Sequence, residues 1–153
     1  VILGPLLDDD PGTSGTIVQR MLDGGTPMLP RIWVDVVDVR DVAALHVAAM
    51  TAQAAGGHRF IAADRPMSFR EMTDILRAAF PDRAGKIPRY QAPDWLMRFA
   101  ALFNGTARDS LAELGPVKRT DTGPARALLG RPFVPAEDAA IAMARGLIDN
   151  RLV

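Results

Sequence analysis

Ile32-Trp33-Val34-Asp35-Val36-Val37-Asp38-Val39-Arg40-Asp41-Val42-Ala43-Ala44-Leu45-His46 is the stretch whose reading decides the fold. Its first part, Ile32 to Val37, is rich in β-branched residues and carries Trp33, the composition of a strand. The period then changes. Val42, Leu45, His46, Ala49 and Met50 recur at helical spacing, which predicts a helix packed through one face. Asp38 stands at the junction as an N-cap, its carboxylate placed to accept from the free N–H groups of the first turn. Asp41, three residues on, complements the positive helix end. The two aspartates are therefore read as capping groups and not as a catalytic carboxylate pair.

Upstream, Val1-Ile2-Leu3 reads as a buried-type strand already under way, which suggests a chain cut from something longer, and Gly4-Pro5 ends it. Asp8 to Gly15 is expected to be a loop, with Asp8-Asp9-Asp10 as solvated charge and not a metal site. A helix carrying Ile17, Val18, Met21 and Leu22 follows, with Ser14 as its cap and Gly24-Gly25 as its stop. Downstream, the expected order is a strand at Arg59 to Ala62 and then a helix opened by a Ser68/Glu71 capping box. That helix presents Met72, Ile75, Leu76, Ala79 and Phe80 on one stripe, and Pro81 ends it. A short strand at Ile87 to Tyr90 precedes a helix begun by Pro93, with Leu96, Phe99, Ala100 and Phe103 facing inward. A short helix is expected over 107–114, another from Asp121 to Gly130, and a last one opened by Pro135. The last buries Ala136, Ala139, Ala140, Met143, Ala144, Leu147 and Ile148.

The chain has 153 residues, enough for one domain with a real core. Its 18 basic and 18 acidic residues balance, which argues against a general footprint for nucleic acid or an anionic membrane. Arg83, Lys86 and Arg89 form a local basic group, read as a solvated loop. With no cysteine, disulfides, thiol nucleophiles and cysteine–zinc sites are excluded, and His46 and His58 are too few for a histidine-rich metal site. His46 is read as a partly buried histidine with one hydrogen-bond partner, and Trp33 and Trp95 as core anchors. No apolar run approaches the ~20 residues of a membrane span, and there is no signal peptide, so a cytoplasmic setting is the default expectation.

Four segments together resemble the extended short-chain dehydrogenase/reductase family, also described as NAD-dependent epimerase/dehydratase. Val1-Ile2-Leu3-Gly4-Pro5 resembles the strand that follows the family's nicotinamide-contacting turn. Val37 to Ala43, running on to His46 and Met50, is similar to its strand-to-helix motif. Gly57-His58-Arg59-Phe60-Ile61 with Ser68-Phe69-Arg70-Glu71 resembles the next strand and helix. Asp121-Thr122, Leu128-Leu129-Gly130 and Pro135-Ala136-Glu137 resemble the closing helices. Each motif is weak alone; four in order across nearly the whole chain make a strong signal. The nearest look is to the dihydroflavonol and aldehyde reductase branch.

The resemblance implies an α/β fold: the incomplete C-terminal part of a Rossmann-type fold, with a mainly helical substrate-binding region over residues 1–153. It implies NAD or NADP as the cofactor of the parent protein and a small carbonyl or flavonoid-like substrate. Pro5, Leu6, Leu7, Ser14 and Ile17 become candidate substrate-binding residues. Nucleotide-sugar epimerases place an arginine where this chain has Val34, beside Asp35, which ranks that alternative lower; Arg31 keeps it open. A further alternative is a non-catalytic NAD(P)-sensing or interaction protein of the same fold.

The glycine-rich dinucleotide turn and the Tyr-x-x-x-Lys pair that the family uses are both missing. The one tyrosine, Tyr90, is followed four residues on by Asp94, and a carboxylate there would oppose phenolate formation. The chain alone is therefore expected to bind no cofactor and to be inactive, with neither catalytic nor metal residues. Without an upstream neighbour, the edge of the first strand is expected to be covered by a second copy, making a homo-oligomer, or by a rearranged segment.

Overall fold

The computed structural model describes residues 1–25, 27–103, 105, 108, 111, 114–115, 117 and 120–153. Three strands form one sheet in the order β1 (Ile2–Leu3), β2 (Trp33–Asp38), β3 (Arg65–Ser68). β1 runs parallel to β2, with Ile2 opposite Val37, and β3 runs antiparallel to it, with Val34 opposite Met67. Between them lie α1 (Gly12–Leu22) and α2 (Val39–Thr51); α3 (Phe69–Ala79), α4 (Asp94–Ala100), α5 (Gly123–Leu129) and α6 (Ala136–Asp149) follow. The α/β beginning and helical finish expected from the sequence are both present.

α6 organises the core. Ala136, Ala139, Ala140, Met143, Ala144 and Leu147 repeat at i, i+3, i+4, i+7, i+8 and i+11, and all are buried. The alanines in that stripe let α1 and α3 approach closely. Leu3, Val18, Leu22, Leu29, Val36, Met67, Met72 and Leu76 complete the cluster and are fully excluded from water. A smaller cluster of Val37, Leu45, Ala125 and Phe133 seats α2 against α5.

Several local expectations change. α1 begins at Gly12, so Ser14 lies inside the helix and does not cap it; Oδ1 of Asp10 accepts from the Gly12 N–H at 2.8 Å instead. The end of α1 is as read: Gly24 is left-handed at φ +73°, and the Gly25 N–H donates to the Arg20 carbonyl. Pairing with β2 falls on Arg65–Ser68 and not on Arg59–Ala62, because Phe60 and Ala62 pack on the smaller cluster while Met67 enters the main core. Pro66 is tolerated there because β3 borders the sheet. Ile87 to Tyr90 forms no strand; that segment is pinned by a single bridge between Leu29 and Gln91.

Ser68 caps α3 by accepting from the Glu71 N–H, but the Glu71 carboxylate turns to Arg65 at 2.8 Å instead of closing the box. Neither tryptophan is a core anchor: Trp33 is 37% and Trp95 69% exposed. α4 also turns Phe99 outward, with Phe103 beyond its end. The expectations for the Ala100 side chain and for a helix over 107–114 fall outside the described residues. Among the described residues, no helix is long and apolar enough to cross a membrane.

Candidate functional site

In open α/β sheets, ligands bind beyond the carboxyl ends of parallel strands. Here those ends are Leu3-Gly4 and Asp38-Val39, brought together by the β1–β2 pairing. Gly4, at φ +138°, makes the contact possible: a Cβ there would stand 2.8 Å from Cγ1 of Val39 and 3.3 Å from its backbone nitrogen. The chain then leaves the sheet through residues 5–11 and enters α1. Asp10, Gly12, Thr13, Thr16, Ile17 and Arg20 line an open cleft of about 560 Å³ at this point.

Of the five residues expected to contact substrate, Ile17 lines this cleft while also packing against the core. Pro5 is exposed nearby, and Leu7 is 98% exposed. Leu6 turns inward, where a Cβ on Gly146 would be 3.1 Å from its side chain. Ser14 is half-buried within α1. Thr13, Thr16 and Arg20 were not singled out, although their i, i+3, i+7 spacing with Ile17 at i+4 marks them as one helix face. Their chemistry is that of orientation. The Thr13 hydroxyl and the Arg20 guanidinium are donors for an oxygenated ligand, and the Thr16 hydroxyl donates to the Gly12 carbonyl at 2.9 Å. No tyrosine, lysine or histidine lines the cleft.

The acidic run beside it is a folded turn. Oδ1 of Asp8 accepts from the Asp10 N–H at 3.1 Å, and Asp10 in turn holds the start of α1. No group of three or more His, Cys, Asp or Glu suited to a metal ion occurs among the described residues.

Helix N-termini are the natural seats for a pyrophosphate, and at five of the six described helices a side chain of the chain itself accepts one first-turn N–H, while α4 begins after Pro93 without such a bond. Asp10 serves α1 and Ser68 serves α3. Asp38 serves α2 by accepting from the Arg40 N–H at 2.8 Å, and Asp121 accepts from the Gly123 N–H at the start of α5. Asp64, far away in sequence, accepts from the Ala136 N–H at 3.0 Å at the start of α6. The one glycine turn between a parallel strand and its helix, at Gly4, is closed by Val39 and Asp38. That turn is not open to a pyrophosphate.

The buried carboxylates are staples. Asp38 is also held by the Arg40 guanidinium, through Nε and Nη2 at 2.8 Å each. Burial pushes the Asp38 carboxyl up, but the hydrogen bonds from Arg40, together with the charges of Arg40 and Arg131, outweigh it and hold it below the usual carboxylate range. Asp41 is fully buried and does more than complement a helix end. Its Oδ2 accepts from the Val134 N–H at 2.6 Å, and Arg131 sits 2.7 Å from Oδ1 in a charge contact without hydrogen-bond alignment. Arg65 bridges Glu71 and Glu137. His46 is exposed instead of partly buried, though it has the single partner expected, the Val42 carbonyl 2.7 Å from Nδ1.

No family model matches the chain. A ketoreductase of Aspergillus niger, azaE, is 34% identical over 80 residues, which make up 52% of this chain and 23% of that protein. A putative NADPH-dependent methylglyoxal reductase of Candida albicans, GRP2, is 32% identical over 78 residues, 49% of this chain and 23% of that one. The crystal structure of yeast methylglyoxal/isovaleraldehyde reductase Gre2 complexed with NADPH superposes with a TM-score of 0.71 at 21% identity. It covers 99% of this chain, which accounts for 45% of that structure. The chain thus spans less than half the length of these relatives, and its architecture is that of part of a Rossmann-type reductase fold.

Proposed function

We propose that this chain is the substrate-side portion of an NAD(P)-dependent oxidoreductase that reduces a small carbonyl compound, and that it is inactive by itself. The observation that carries the reading is the superposition of nearly the whole chain on under half of an NADPH-bound reductase, with an open cleft along the first turns of α1. Pro5, Leu7, Thr13, Ile17 and Arg20 form the substrate side, and NAD(P) and the acid/base pair belong to the other portion of the parent protein. The closed glycine turn at Gly4 supports this division, since Val39 and Asp38 occupy the space a pyrophosphate would need.

The nucleotide-sugar alternative loses support from Arg31, whose guanidinium is held by Asp94 at 2.5 Å. Asp35 also stands on β2 with its carboxylate accepting from the Thr120 hydroxyl, a poor setting for a diphosphate. The free edge of β1 is covered, in this reading, by the cofactor-binding portion or by a second copy.

The test is to extend the coding sequence upstream of Val1 and assay both forms for NADPH oxidation with methylglyoxal and larger aldehydes. The extended protein is expected to carry Tyr-x-x-x-Lys and to turn over, with Arg20→Ala raising KM; the 153-residue chain is expected to be silent. Turnover by the short chain, or an extended protein that lacks the tyrosine and is inert, would overturn the proposal. The second outcome would favour a cofactor-sensing protein.

A further inference from the structure

Arg89, one of the three basic residues noted in the sequence, reaches the far side of α3. Arg70, Asp74 and Arg77 stand at i, i+4 and i+7 on that helix, away from its buried Met72, Thr73 and Leu76. Arg89 and Tyr90 face them, and with Ala78 they line an open cleft of about 650 Å³. Its walls are fixed. Arg70 donates through Nε to Asp74 at 2.9 Å and through Nη1 to the Arg89 carbonyl at 2.7 Å. The Tyr90 carbonyl accepts from the Leu29 N–H at 2.9 Å, and the Ala92 N–H donates to the Leu29 carbonyl at 2.8 Å. Ile87 and Ala92, on either side, are buried.

Three guanidiniums and one carboxylate therefore line the cleft, and of the three only Arg70 pairs with that carboxylate. Arg77 and Arg89 form no ion pair with any described residue, and the Tyr90 ring beside them is 71% exposed. We propose that this cleft binds a small phosphate-bearing molecule, with Arg77 and Arg89 taking the anion and the Tyr90 ring its planar organic part. A carboxylate has two oxygens and one charge, and Arg70 meets Asp74 through a single Nε bond to Oδ2. A phosphate monoester offers three oxygens and up to two charges, the match for two forks approaching from different elements. The α1 cleft shares no lining residue with this one, so the two assignments stand or fall separately.

The experiment is an amide NMR titration of the 153-residue protein at low salt with adenosine monophosphate, inorganic phosphate and adenosine. Adenosine monophosphate is expected to shift Arg77, Ala78, Arg89 and Tyr90 and to bind more tightly than inorganic phosphate, while adenosine binds negligibly. Arg77→Gln and Arg89→Gln, both surface changes, are each expected to weaken binding about tenfold. Tyr90→Ala is expected to reduce adenosine monophosphate to the affinity of inorganic phosphate. Shifts spread over other basic residues, an unchanged affinity in the double arginine variant, or no shift at millimolar ligand would each overturn the assignment.

Discussion

Asp41→Ala is expected to destabilise the protein far more than Asp41→Asn. The carboxylate has no exposed surface and ties α2 to the loop before α6, accepting from the Val134 N–H at 2.6 Å. Alanine removes a hydrogen bond to a charged acceptor and leaves a partly buried N–H without a partner, together about 2–3 kcal/mol. Arg131 is 46% exposed, so its charge contact adds at most about 1 kcal/mol after solvent screening. The total is about 3 kcal/mol. Asparagine keeps an oxygen for Val134 and forfeits mainly the charge, about 1 kcal/mol. With a urea m-value of about 2 kcal/mol/M, the unfolding midpoint should fall by about 1.5 M for alanine and about 0.5 M for asparagine. Equilibrium unfolding followed by circular dichroism reads both. If the two variants unfold at the same midpoint, the hydrogen bond to Val134 is not what the carboxylate contributes, and the reasoning fails.

Stability should also fall in acid. The carboxyls of Asp38 and Glu137 are both held below their ordinary values, Glu137 first by its own backbone N–H and then by Arg65. The unfolded chain therefore takes up protons first, so their contribution is complete above the ordinary carboxylate pKa near ~4 and disappears as pH drops through the lower folded values. A urea midpoint unchanged between pH 5 and pH 3 would contradict this. Gly4→Ala should cost at least about 2 kcal/mol, since φ +138° and the Val39 backbone both oppose a Cβ. Gly12→Ala, at φ +60° with open space around it, should cost about 1 kcal/mol, so thermal denaturation of the pair separates crowding from backbone strain. Asp64→Ala should fray the start of α6, seen as faster amide exchange at Ala139 and Ala140, whereas Asp64→Asn should preserve protection there by keeping an acceptor for the Ala136 N–H. Equal exchange in the two would refute the capping role.

What could be read in advance was whatever local periodicity controls. The α6 stripe from Ala136 to Leu147, the Asp38 cap and the Gly24-Gly25 stop are short-range patterns, and each stands as expected. Failures cluster where a distant partner decides. Arg59 to Ala62 has strand composition, yet Val34 pairs with Met67, because only that register buries Met67 while Phe60 and Ala62 find α2. Asp41 was a helix-end charge until Val134, 93 residues away, supplied its N–H. The apolar spacing of Leu96, Phe99 and Phe103 promised an inward face, but spacing reports a face without saying what covers it. The candidate cleft was half legible: Ile17 came from family resemblance, while Thr13, Thr16 and Arg20 needed the start of α1 to be placed at Gly12.

That placement also bears on the proposed division of labour. Read as a loop, Asp8 to Gly15 puts Ser14 at the cap of the first helix and leaves the acidic run as solvated charge. With α1 starting at Gly12, the acidic run becomes the cap itself, and the same carboxylates that close the helix start repel a phosphate from it. The cleft beside it keeps two hydroxyls, an arginine and an isoleucine wall, a set suited to turning a small oxygenated molecule toward a reactive group held elsewhere. In the proposed division of labour, such a side holds and orients the substrate and leaves the cofactor to the other portion of the parent protein.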